Sequence, residues 1–104
     1  DVYKRQGQQV IVDMGVLLGR KPSAEVPAGA KSVKLEDPTR TISRNHAAIS
    51  FDQDGTLWIE DYGSLNGTYI IQDDVETKVE HKPMQLEAPC TVRIGDQFFQ
   101  FRKQ

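Results

Sequence analysis

Short apolar segments separated by turn-forming residues recur along the chain, and several of them alternate apolar and polar side chains with the period of a β-strand. Gln8 to Asp13, carrying the β-branched Val10-Ile11-Val12, reads as a first strand. Met14-Gly15 breaks it, and Val16-Leu17-Leu18 begins a second strand that ends at Gly19-Arg20. Residues 21–31 carry Pro22, Pro27 and Gly29 without any period and read as an exposed loop. Ser32 to Leu35 alternates as a short, half-buried strand. Glu36 to Arg40 then reads as a turn, because Pro38 lacks an N–H donor and restricts Asp37.

His46 to Phe51 and Leu57 to Glu60 flank Asp52-Gln53-Asp54-Gly55, a hairpin signal. Further strands are expected at Gly67 to Ile71, weakly at Val75 to Val79, and at Met84 to Leu86, Cys90 to Ile94 and Gln97 to Phe101, with Gly95-Asp96 turning the last two. No stretch keeps a helical period, and no repeat or low-complexity segment is visible. The succession predicts an all-β fold, an antiparallel two-sheet β-sandwich. Its core is expected from Leu17, Val33, Ile49, Leu57, Ile59, Ile70, Val92, Ile94 and the pair Phe98-Phe99, one of which alternation turns outward. A sandwich gathers its loops at two ends, and function is sought there.

The totals narrow the classes. With 104 residues the chain suits one domain. The opening Asp1-Val2-Tyr3-Lys4-Arg5-Gln6 looks like the translation of a transposon-end adapter from a sequencing library. These six residues are set outside the fold, and the domain is expected over 7–104. Thirteen basic residues against fifteen acidic ones leave a net charge of −2, which argues against a general nucleic-acid-binding field. Cys90 is the single cysteine, so neither an internal disulfide nor a cysteine metal cage can form. No metal or other cofactor is expected. The chain shows neither an 18-residue apolar run nor a secretory leader, and no direct membrane contact is expected of the module.

Candidate chemistry gathers between Thr41 and Thr68. Ser43-Arg44-Asn45-His46 and Gly63-Ser64-Leu65-Asn66-Gly67-Thr68 bracket two apolar segments joined by the Asp54-Gly55 turn, and the hairpin brings both polar clusters to one edge. Arg20 follows Gly19 at a strand end, where a planar fork of five donors suits a phosphate or carboxylate. Alone, each feature also reads as ordinary structure: a solvated arginine, a turn serine, an Asn-Gly hairpin, and an inward histidine that bonds to backbone. Asn66-Gly67-Thr68 matches a glycosylation pattern that carries no meaning without secretion. A hydrolytic set of Ser43, His46 and Asp61 lacks a nucleophile elbow and an oxyanion-hole motif, and the chain is not read as an enzyme.

Taken as a set, Gly19-Arg20, Ser43-x-x-His46, Trp58-x-x-Asp61 and Gly63-Ser64-x-Asn66-Gly67-Thr68, in this order and spacing, closely resemble a forkhead-associated (FHA) domain from about Val10 to Phe101. The resemblance implies a β-sandwich of about eleven strands that binds phosphothreonine peptides through loops at one end. It places Arg20 and Ser43 at phosphate-binding positions and Arg44 at a position that often adds a phosphate contact. It puts Asn66 at the peptide backbone and Ser64 and Leu65, in the flanking loop, among the expected peptide contacts. Gly19, His46 and Gly67 fall where residues shape the site. Lys21, Thr39 and Arg40 are further expected peptide contacts. Two positions depart from the pattern. Leu65 stands where the family often has threonine, and Leu86-Glu87-Ala88-Pro89-Cys90 replaces a Gly-Asp-type turn remote from the binding loops.

The implied role is a phosphothreonine reader in Ser/Thr-kinase signalling, in a bacterial setting, acting as a monomeric module with a phosphorylated protein as partner and no nucleic acid. The implied location is cytoplasmic, including the cytosolic part of a larger membrane-anchored protein. The competing reading keeps the fold and makes it a phosphate-independent assembly module. Intact Arg20, Ser43 and Asn66 argue against it.

Overall fold

A computed structural model describes residues 2–5, 8–87 and 89–102, with side chains over 12–87 and 89–101. Eleven strands lie among the described residues: β1 (Val2–Arg5), β2 (Gln8–Ile11), β3 (Gly15–Gly19), β4 (Ala30–Lys34), β5 (Ala47–Phe51), β6 (Leu57–Asp61), β7 (Thr68–Gln72), β8 (Val75–Lys78), β9 (Met84–Leu86), β10 (Cys90–Ile94) and β11 (Gln97–Arg102). They form a six-stranded sheet in the order β2-β1-β11-β10-β7-β8 and a five-stranded sheet in the order β4-β3-β5-β6-β9. The fold is the expected all-β sandwich.

One pairing departs from the antiparallel expectation. β4 runs parallel to β3, with Gly15 opposite Ala30 and Gly19 opposite Lys34. The loop 20–29 carries the chain back to the starting end of β3, so β4 leaves in the same direction. Part of the opening six residues, which the sequence reading sets outside the fold, forms β1. Val2–Arg5 pairs antiparallel with both β2 and β11, while Asp1 and Gln6 lie outside the described residues. A ladder uses backbone N–H and C=O groups that almost any sequence supplies, so an extended segment can pair between two strands regardless of its side chains.

The two inner faces meet in one buried cluster that includes Val16, Leu18, Ile49, Ile59, Val92, Ile94 and Phe99. Strand alternation separates the adjacent phenylalanines: Phe99 is 1 % exposed and Phe98 52 %. Leu17 points away from this cluster, and Val33 packs only partly against it. Leu35, Ile42 and Val79 lie just outside strands and still fill the core, because each follows or precedes a backbone bond that pins its loop. Leu35 N–H donates to Gly19 O at 2.8 Å, and Val79 N–H donates to Thr68 O at 2.8 Å.

The contrast between the two phenylalanines is measurable by denaturant unfolding. Phe99→Ala empties the centre of the sandwich and is expected to cost about 3–5 kcal/mol. Phe98→Ala removes a half-exposed ring and is expected to cost less than about 1 kcal/mol. Equal losses would contradict the assigned faces.

Candidate functional site

Three loops and one hairpin turn meet at one end of the sandwich, and a buried histidine ties two of the loops together. His46 is 0 % exposed. Its Nδ1 accepts from the Ser43 backbone N–H at 2.9 Å, and its Nε2 lies 2.8 Å from Gly67 O. A backbone N–H can only donate, so Nδ1 is the acceptor and the neutral ring carries its proton on Nε2, which donates to the Gly67 carbonyl. Burial pushes the imidazole pKa down, against the opposing pull of that carbonyl and of Asp61 and Asp37. Gly67 O accepts a second bond from Gly95 N–H at 3.1 Å, which joins the β10–β11 turn to the same point.

The Gly19-Arg20 step packs directly on the second loop. Arg20 N–H donates to Ser43 O at 2.9 Å and Lys21 N–H to Arg44 O at 3.4 Å. A Cβ on Gly19 would stand 1.7 Å from the Arg44 carbonyl oxygen, so only glycine permits this approach. Arg20 Nε donates to Ile42 O at 3.3 Å, which holds the guanidinium against the loop. Among the described residues, Arg20, Arg40 and Arg44 form no ion pair.

The third loop is built on Asp61. Its carboxylate accepts from Ser64 N–H at 2.9 Å, Ser64 Oγ–H at 2.6 Å and Thr68 Oγ1–H at 2.7 Å. Burial raises this carboxyl pKa, but the donated hydrogen bonds outweigh it and the net shift is downward. Ser64 Oγ in turn accepts from Gly67 N–H at 3.0 Å. Two bonds then close the loop onto its neighbour. Leu65 N–H donates to Ser43 Oγ at 3.1 Å, and Asn66 Nδ2 donates to Thr41 O at 2.9 Å.

The result is a groove of about 700 Å³ whose lining includes Arg20, Arg40, Ser43, Leu65 and Asn66. Among the expected residues, these five share the groove. Lys21, Thr39 and Arg44 are exposed outside its lining, with the Thr39 hydroxyl bonded to Asp96. Ser64 is turned into its own loop by Asp61. Gly19, His46 and Gly67 lie beneath the groove. Its lining also contains Lys34, Glu36 and Asp37, which sequence reading did not single out. Asp37 accepts from Thr41 N–H at 2.9 Å and Ile42 N–H at 3.0 Å, and so fastens the loop whose carbonyls hold Arg20 and Asn66. The Asp37-Pro38 step, a turn opener, was the available signal.

The imagined hydrolytic set is not assembled. Ser43 meets His46 through its backbone N–H, its hydroxyl faces Leu65 N–H, and both imidazole nitrogens bond backbone groups. What the groove offers instead is a guanidinium, a serine hydroxyl and an amide on a fixed frame. Ser43 Oγ already accepts one hydrogen bond, which leaves its proton for an acceptor in the groove.

The sequence model of the FHA domain family matches residues 16–95. Similar solved structures include the FHA domain of the CT664 protein from Chlamydia trachomatis, 26% identical with a TM-score of 0.75, covering 99% of this chain and 96% of that one. A domain from a study of phosphothreonine-dependent FHA domain interactions is 20% identical with a TM-score of 0.67, covering 99% and 95% of the two chains. The MEK1 FHA domain in complex with a HOP1 phosphothreonine peptide is 22% identical with a TM-score of 0.63, covering 97% and 93%.

The buried histidine makes stability depend on pH. Its folded pKa is lowered from 6.5, so below that value the unfolded chain binds a proton that the folded chain resists. Stability is therefore expected to be full above about pH 7 and to fall as pH drops through the ordinary histidine range. The lowered Asp61 adds a separate loss in the carboxylate range, below its ordinary 3.8. Denaturant melts across pH would show the upper step, and His46→Asn should remove it while lowering stability throughout. A melt insensitive to pH between 7 and 5 would contradict the buried neutral imidazole.

Proposed function

We propose that this chain, which belongs to the FHA domain family, binds a phosphothreonine-containing peptide of a partner protein in the groove at its loop end. The observation that carries the reading is the joint anchoring of Arg20 and Ser43. Backbone and Nε bonds fix the arginine to the very loop that presents the serine hydroxyl. Two different donors thus face one groove with little freedom left to lose when an anion arrives.

A phosphothreonine brings about −1.5 to −2 charges and three acceptor oxygens. Arg20 supplies the planar fork and Ser43 a hydroxyl donor. Arg44, exposed next to Ser43 just outside the groove's lining, adds a further cation. Each charge-assisted hydrogen bond contributes about 1.5–3 kcal/mol, so a few of them account for much of the roughly 8 kcal/mol of micromolar affinity. Asn66, Leu65, Lys21, Thr39 and Arg40 serve the peptide around the phosphate, with the Asn66 carbonyl oxygen free to accept while its Nδ2 holds Thr41. The partner is a Ser/Thr-kinase substrate, and the module works without catalysis on the cytoplasmic side. No helix among the described residues is long and apolar enough to cross a membrane.

Binding of a phosphothreonine peptide library, read by fluorescence anisotropy, tests the proposal. Arg20→Ala and Ser43→Ala are each expected to weaken selected peptides by about tenfold to a hundredfold, with the fold intact by circular dichroism. Phosphatase treatment of the peptide should abolish binding. Affinity that survives both the phosphatase and Arg20→Ala would instead make the chain a phosphate-independent assembly module.

A further inference from the structure

A second groove, of about 610 Å³, lies on the outer face of the five-stranded sheet, under the return of the loop 20–29 toward β4. Its floor carries the small residues Gly15 and Ala30, opposite each other, and Ala48, with Leu17 opposite Ala48. Larger side chains wall it, with Met14 and Phe51 each 38 % exposed and Tyr62 52 % exposed, alongside Val26 and Pro27. Half of the large exposed apolar side chains of the described chain thus border one concavity. Scattered surface apolar residues need no explanation, but a contiguous set around a recess marks a contact surface.

Charge narrows the occupant. The charged residues in the lining are Asp13 and Glu25. Asp13 is paired with Lys31 at 3.2 Å, whose hydrogen bond and charge hold its carboxyl pKa down, and Glu25 has no ion pair among the described residues. Glu60, opposite Ala48 on the same sheet, adds another carboxylate to this side. With Lys31 offsetting Asp13, Glu25 and Glu60 leave this side net acidic, in contrast to the arginines of the loop-end groove.

We propose that this outer groove is a second docking site, taking an extended partner segment that sets a large apolar side chain beside an arginine or lysine. The apolar side chain fills the space left by Gly15, Ala30 and Ala48, and the cation meets Glu25. The site is independent of phosphate and of Arg20.

The test is an NMR titration of the 15N-labelled chain with capped hexapeptides that carry Phe, Leu or Trp followed by either Arg or Glu in a Gly-Ser frame. At about millimolar concentration, Arg peptides should shift the Gly15, Ala30 and Ala48 amides, with the Glu peptides binding about fivefold more weakly. Ala48→Ile fills the floor and should abolish the shifts. If that variant fails to fold, Glu25→Lys decides, since it should erase the preference for Arg without touching the core. Arg20→Ala should leave these shifts unchanged, so loss of phosphopeptide binding and loss of this site are separable. Equal binding of Arg and Glu peptides, no shifts in the groove, dependence on Arg20, or the same shifts on self-association without peptide would each overturn the proposal.

Discussion

The loop end of this molecule hangs on one imidazole. His46 accepts from Ser43 and donates to Gly67, and those two backbone groups belong to loops that the β5–β6 hairpin brings together. Because both bonds are made by a fully buried ring, each is shielded from competing water, and loss of either would leave a buried polar group without a partner. The same ring must stay neutral to accept from Ser43. A charged imidazole would present two donors and turn one of them against an N–H. Burial, which lowers its pKa, is thus part of the same arrangement that fixes the loops.

From that link the groove follows by backbone geometry rather than by long flexible side chains. The missing Cβ of Gly19 lets the Arg20 backbone reach Ser43 O, and Gly67, at φ 86°, turns the third loop back so that its carbonyl meets both His46 and Gly95. Asp37 and Asp61 each cap a loop from within, consuming their charge on N–H and O–H donors close to the groove. The nearby carboxylates are thereby bound into the frame, while the guanidinium of Arg20 remains without an acidic partner among the described residues. That asymmetry, with Asp37 and Asp61 engaged and Arg20 and Arg40 in no ion pair among the described residues, favours an anionic ligand.

Much of this was legible in the sequence, for physical reasons that also explain what was not. Strand period and turn chemistry reveal elements directly, and alternation alone separates Phe98 from Phe99. Gly19, Arg20, Ser43 and Asn66 each read alone as ordinary structure and stand out only by their joint order and spacing, the pattern that resembles an FHA domain. The parallel β3–β4 pair was not legible, since an irregular loop carries no statement of where it returns. Leu35 and Val79, read as strand-end residues, and Ile42 were not expected in the core, yet each packs there from just outside a strand. Ser64 looked like a ligand contact, yet the structure spends its hydroxyl on Asp61 and Gly67, a partnership that spacing by itself does not reveal. Lys21 and Arg44 illustrate the same limit: adjacency in sequence to a groove residue does not put a side chain in the groove.

The central claim, that a rigid histidine-pinned frame presents Arg20 and Ser43 to a phosphate, is tested most directly by following side-chain and backbone 15N resonances as a phosphothreonine peptide is added. The account predicts large shifts at Arg20 Nε and at the Leu65 amide that shares the Ser43 hydroxyl. It also predicts that the His46 ring nitrogens keep the Nε2–H tautomer with little change. Shifts that are the same for the unphosphorylated peptide, or a His46 ring that changes protonation while Arg20 Nε does not move, would contradict it.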